Sequence, residues 1–315
     1  MLKQIVVMVA AMAAATGLAQ AATDMKPVGV IGLPGGSGKT PAVAESVADL
    51  RTHVLYHPPK LAGRPLPLLL WGNGGCRDNG LDYAQFLREI ASQGFFIVSA
   101  GYPLGERDVR PPGTAAPAPT RLQGPDGGKT RASDLLAGLD WATKVNGDPK
   151  SPFHGRIDTS KVGVMGTSCG GLQAIAVATD ARIKTAIAFN SGVLLELPPT
   201  AAPGSDLVIG KDALPKLKGP IAYINGGPTD IAYLNAQDDF RLIEQVPVFF
   251  AENGVGHGGT YLLDEYGGSY ARVATAWFSW QLKGDTQAAT WFKGADCVLC
   301  TRPGWTVKTK HFDGL

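Results

Sequence analysis

Charge is scarce in this chain, and so is cysteine. Only 18% of the 315 residues are Asp, Glu, Lys or Arg, and the formal net charge is +2. No basic run appears, so neither nucleic acid nor an anionic membrane is indicated as a partner. The chain has only five histidines and four cysteines. They form no metal-ligand cluster in the sequence, and no cofactor or metal is implied. After the first 21 residues no apolar stretch approaches the roughly 20 residues that a membrane span needs. What the chain does have is glycine, 41 residues of it, and enough length for one large domain with a sizeable core.

One glycine-rich stretch invites a nucleotide-binding reading. GLPGGSGKT, residues 32–40, looks like a phosphate-binding P-loop. That loop wraps one phosphate with a fixed number of backbone N–H groups, so it needs four residues between its first Gly and Gly-Lys-Ser/Thr. Counting back from Gly38 reaches Leu33, and Pro41 follows Thr40 where a helix should begin. The spacing fails, and we read residues 32–40 as a flexible Gly-rich segment.

The N-terminus adds a second objection. Lys3 is followed by an apolar run from Ile5 to Ala15 and then by Ala19-Gln20-Ala21. This is the layout of a secretory signal peptide over residues 1–21, cleaved after Ala21 or nearby. An exported protein meets little nucleoside triphosphate. Residues 22–315 are then expected to form a single domain, secreted or periplasmic, with no membrane span after cleavage. In that setting four cysteines favour disulfides, and three pairings are open.

Strand-like and helix-like segments alternate through most of the chain. Residues 52–58, 67–73, 95–101, 183–190, 220–226 and 246–252 read as strands, several of them apolar enough to be buried on both faces. Residues 81–94, 131–146 and 270–283 carry apolar residues at helical spacing. This order predicts an α/β fold with a mostly parallel central sheet and helices on both faces. Two stretches interrupt it. Residues 103–128 form a long Pro- and Gly-rich loop, and 192–218 is a candidate small lid.

The informative motif is Gly166-Thr167-Ser168-Cys169-Gly170. It fits G-x-S-x-G, in which a Ser on a sharp strand-to-helix turn is thrust out of the sheet. The strand KVGVM precedes it and the apolar positions Leu172, Ile175 and Ala176 follow, which is the context the motif requires. In these features the chain resembles the α/β-hydrolase family over nearly all of its mature length. The combination of short oxyanion loop, elbow and late His is similar to the secreted lipase, cutinase and polyester-hydrolase branch. Its oxyanion loop and the C-terminal CVLC depart from a typical cutinase.

The resemblance implies a chain order of Ser, then Asp or Glu, then His. His257, in the loop GVGHGG after a strand, takes the place of the base, whereas His311 sits in a Lys-rich tail. Asp230 follows the preceding strand and is the expected acid, ahead of Asp206, Asp212, Asp238 and Asp239. For the oxyanion hole the resemblance implies two backbone donors, the N–H of Cys169 and one from WGNGGC, where we choose Asn73 with Gly74 next to it. These two donors must converge on one oxygen, which would bring Cys76 and Cys169 together. A Cys76–Cys169 disulfide is therefore expected, leaving Cys297 to pair with Cys300.

The expected activity is hydrolysis of a small-molecule or polymeric carboxylic ester by Ser168, Asp230 and His257. An amidase, peptidase or acyltransferase would use the same triad, and a non-catalytic binding protein could keep the same fold. The sequence does not specify the ester or the oligomeric state.

Overall fold

The computed structural model describes residues 25–108, 128–196 and 209–312. The expected leader at 1–21, residues 109–127 of the Pro- and Gly-rich loop, and residues 197–208 at the centre of the candidate lid lie outside the described residues. Among the described residues no helix is long and apolar enough to cross a membrane.

Ten strands build one sheet. They are β1 (Gly29–Gly35), β2 (Ala42–Ser46), β3 (His53–His57), β4 (Leu66–Gly72), β5 (Phe96–Ala100), β6 (Ile157–Thr167), β7 (Ile183–Phe189), β8 (Ile221–Asn225), β9 (Val248–Glu252) and β10 (Thr306–Lys310). Their order across the sheet is β1-β2-β3-β5-β4-β6-β7-β8-β9-β10. The run from β5 through β4, β6, β7 and β8 to β9 is parallel. Antiparallel strands flank it on both sides.

Side-chain alternation along β4 shows why both faces must be covered. Leu69 and Trp71 enter one core while Leu68 and Leu70 enter the other, all four without solvent exposure. Helices α1 (Ala84–Ser92) and α5 (Gly268–Lys283) close the first face, bringing Phe86, Leu87, Val273 and Trp277 onto the sheet. Helices α2 (Ala132–Gly147), α3 (Cys169–Val177) and α4 (Tyr233–Leu242) close the second with Leu135, Leu139, Ile175 and Ala236. Parallel strands buried in this way present their C-terminal ends together at one edge, where loops assemble a site.

The glycine-rich stretch at 32–40 is not the flexible segment expected. It ends β1 and turns into β2, and the tip docks on the end of α1. Ser37 donates its backbone N–H and its hydroxyl to the two carboxylate oxygens of Glu89, at 2.6 and 2.7 Å, and Gly38 N–H donates to Ser92 Oγ at 3.0 Å. A Cβ at Gly36, which has φ +103°, would lie 2.7 Å from Ser92 Cβ, so glycine is required for this approach. Two of the amides that would have cradled a phosphate are taken up within the protein, Ser37 N–H by the Glu89 carboxylate and Gly38 N–H by the Ser92 hydroxyl. Lys39→Ala is accordingly expected to leave ester turnover unchanged, and calorimetry should detect no ATP binding at micromolar concentration.

The C-terminal tail is also more ordered than its composition suggests. Residues 306–310 pair along β9 as β10, and His311 contacts Glu244 at 3.3 Å on the surface.

Candidate active site

Ser168 sits between the last residue of β6 and the first of α3, with φ 54° and ψ −120°. This is a strained conformation for a residue with a side chain, and it persists only where the surroundings impose it. The surroundings here are glycine. A Cβ at Gly170 would clash with the backbone of Gly72, and one at Gly166 would clash with Gly170. The helix can thus start against β4 only because both positions lack a side chain.

Two loops deliver the partners. After β9, the glycine-rich loop places His257 with Nε2 2.9 Å from Ser168 Oγ. After β8, Asp230 meets His257 Nδ1 through Oδ1 at 2.6 Å. The carboxylate faces Nδ1, so that nitrogen carries the proton and Nε2 accepts from the Ser168 hydroxyl. Asp230 is 3% exposed and accepts three further hydrogen bonds, from Asn190 Nδ2 at 2.7 Å, Gly226 N–H at 3.1 Å and Ala232 N–H at 2.9 Å. Burial pushes its carboxyl up. The hydrogen bonds from His257, Ala232, Asn190 and Gly226 outweigh that and hold it below the ordinary carboxylate value.

Asn190 has no counterpart in the sequence reading. It directly follows β7 with φ 44°, is fully buried, and donates to Gly256 O beside His257 as well as to Asp230. It therefore positions two members of the constellation. Its place one residue past an apolar strand, beside the strand bearing Ser168, was the available signal.

On the oxyanion side the elbow and the loop after β4 meet. Cys169 begins α3, so its N–H is among the first-turn donors without an intrahelical acceptor. Asn73 is completely buried. Its Nδ2 serves the carbonyls of Arg77, Asn79 and Ala100, and its Oδ1 accepts from Trp71 Nε1 at 2.8 Å. That side chain shapes the turn from inside, and the residues the turn presents to the cleft are Gly74 and Gly75. Cys76 bonds to Cys169 with Cα atoms 5.2 Å apart, and Cys297 bonds to Cys300. The first bridge ties the glycine turn to the elbow. Gln173 adds hydrogen bonds to Thr130 O and Cys76 Sγ, both at 2.9 Å.

A cleft of about 380 Å³ opens over Ser168 and His257. Tyr83, Tyr261, Leu262 and Leu263 form much of its wall, and Arg77 and Arg107 stand in it. Tyr261 continues below the surface into a ring cluster, 5.2 Å from Tyr83, 5.0 Å from Phe86 and 5.2 Å from Tyr270 between centroids. Among the described residues, no group of three or more His, Cys, Asp and Glu is arranged to hold a metal ion.

The parallel strand order, the elbow between β6 and α3, and the late loops after β8 and β9 together settle the architecture. The fold is that of the α/β-hydrolases. A family model described as PETase, PET hydrolase-like, matches residues 119–192, the span that contains α2, β6, the elbow, α3 and β7. Over that span the chain is similar to the polyester-hydrolase family. No curated protein matches the chain.

Because the glycine turn and the elbow are covalently linked, reduction has a defined expected effect. Mild reductant should lower turnover before it unfolds the domain, since a displaced donor weakens transition-state binding first. Parallel activity and thermal-melt curves against reductant concentration check this, and coincident curves would refute it.

Proposed function

We propose that this chain is an exported serine esterase working through Ser168, His257 and Asp230. The observation that carries the reading is the unbroken hydrogen-bond chain from Ser168 Oγ through His257 to buried Asp230. Ser168 attacks the ester carbonyl as His257 Nε2 takes its proton. The developing oxyanion is met by the N–H of Cys169 and by the Gly74–Gly75 turn. His257 returns the proton to the departing alcohol, and water then releases the acid from the acyl-enzyme by the same steps. Asp230 holds the imidazole in the working tautomer and stabilises its charged form. The leader layout of residues 1–21 and the two disulfides support export.

Fluorophosphonate labelling and a panel of p-nitrophenyl esters beside matched anilides test the proposal. Labelling at Ser168 with ester turnover far above anilide turnover is the expected result. Absence of labelling would favour a binding protein, and preferential anilide cleavage a peptidase. Aromatic polyester belongs in the panel because of the family match.

The pH dependence follows from the same geometry. Only neutral imidazole accepts the Ser168 proton, so log kcat/KM should rise on the acid side with a slope of about one. Asp230 contributes no second ionisation there, because its carboxyl is held below the ordinary range. The stability it contributes is fully present above its unfolded-state pKa and is lost as pH falls through the lower folded value. A slope of about two would show that both groups titrate together.

A further inference from the structure

The cleft over Ser168 is electrically one-sided. Arg77 and Arg107 both line it, and among the described residues no Asp or Glu does. The two guanidiniums differ in how they are held. Arg77 donates its Nε–H to buried Asp82, and the Tyr83 hydroxyl is its other neighbour. Arg107 is partly buried and forms no ion pair among the described residues. It is close enough to Tyr83 to act on that phenol electrostatically. A cation left without a carboxylate inside a cleft is desolvated by any substrate that packs there. A neutral ester does not compensate that loss, whereas a carboxylate does, because a guanidinium presents donors in a planar fork that matches two carboxylate oxygens. Tyr83, Tyr261, Leu262 and Leu263 line the same cleft as the arginines and Ser168, a largely apolar wall suited to a short hydrocarbon or aromatic spacer. The cleft volume, about 380 Å³, is at the small-molecule end of ligand pockets.

We infer that the cleft selects esters that carry a carboxylate, the simplest being half-esters of dicarboxylic acids, and that Arg107 is the group that receives it. The inference rests on the esterase reading above. In the reaction the C–O bond to the alcohol breaks and water supplies hydroxyl to the acyl carbon and a proton to the alcohol. A half-ester thus yields a dicarboxylate and an alcohol. When the carboxylate sits on the alcohol part instead, the products are a carboxylic acid and a hydroxy acid.

The competing role for the arginines is general. A positive field near Ser168 would stabilise the oxyanion of every ester alike, and that role changes all rates together. The test therefore reads a ratio. In one arm, p-nitrophenyl hydrogen glutarate is compared with p-nitrophenyl valerate; in the other, 4-(butyryloxy)benzoate is compared with phenyl butyrate. The two arms separate a carboxylate on the acyl part from one on the alcohol part. The full-length wild type should prefer the anionic member of at least one pair by about tenfold in kcat/KM, the scale of one charge-assisted hydrogen-bonded contact. Arg107→Gln should bring that ratio close to unity, mainly through KM, and Arg107→Lys should restore part of it. Added salt should lower the anionic rate and leave the neutral one, because a partly exposed charge contact is screened.

Preference for the neutral member in both arms would overturn the inference, as would a ratio that survives Arg107→Gln. Either result leaves the esterase reading standing, because turnover of the neutral esters reports on the triad separately. Failure to cleave all four esters, with no fluorophosphonate labelling, would remove both.

Discussion

Ser168→Ala is expected to abolish ester hydrolysis while leaving the melting temperature close to that of the wild type. The change deletes one oxygen at the mouth of a cleft and keeps the Cβ that the turn already accommodates. Catalysis loses its nucleophile outright, and in a well-studied serine hydrolase the corresponding loss is about a million-fold in kcat. His257 then faces an alanine methyl in place of the hydroxyl now 2.9 Å from Nε2. The check is steady-state turnover on the best ester of the panel, beside a thermal melt of the same preparation. Residual activity above about one per cent, where the chemistry predicts far less, would end the assignment of Ser168.

Asp230→Asn should be the second most damaging change, and for two reasons. The amide offers a donor where the carboxylate offers only acceptors, so facing His257 Nδ1 it stabilises the wrong tautomer. Nε2 then carries a hydrogen toward Ser168 and no longer accepts one. A loss of about 10⁴ in kcat is the scale known for this substitution in the serine-protease triad. The amide also has no harmless orientation. Oδ1 accepts from His257 and from Ala232 N–H, while Oδ2 accepts from Asn190 and from Gly226 N–H. Whichever oxygen becomes an NH₂ group meets a backbone N–H, so one buried donor is left unsatisfied at about 1–3 kcal/mol. Activity and thermal stability should therefore fall together, unlike the Ser168 variant. An Asp230→Asn protein within about tenfold of wild-type kcat, against the expected loss of about 10⁴, would show that another acid serves the imidazole.

What could be read from sequence, and what could not, divides along lines of burial. The central strands are apolar runs with glycine or proline at their ends, and the parallel sheet follows from them. β1, β2 and β10 carry no such signature. Four of the seven β1 residues are exposed, and Thr-Val-Lys-Thr-Lys in β10 is mostly lysine and threonine because an edge strand must resist pairing with other chains. The residues proposed for proton transfer were legible because their chain order and their strand-end positions constrain them. The convergence argument likewise led to Cys76 and Cys169. Asn73 illustrates the limit. Its position in the loop was readable, but the direction of its side chain depends on three carbonyls contributed by Arg77, Asn79 and Ala100, of which Ala100 is distant in sequence. Asn190 and Arg107 were missed for a similar reason, since neither belongs to a local pattern.

The ring cluster beneath the cleft bears on how this enzyme can acquire new substrates. Tyr83 and Tyr261 are at once cleft wall and interior packing, 7% and 1% exposed. Trimming a buried ring costs about 3–5 kcal/mol, a large share of the roughly 5–15 kcal/mol that holds a domain folded. In the proposed reaction Gly74, Gly75, Ser168 and His257 have fixed roles. Among the described cleft residues, Arg107 and Leu263 carry neither duty, Leu263 with 38% of its surface exposed. Laboratory evolution toward a new ester should therefore accumulate its changes at this rim, while substitutions on the floor of the cleft are lost to misfolding before their effect on specificity is ever tested.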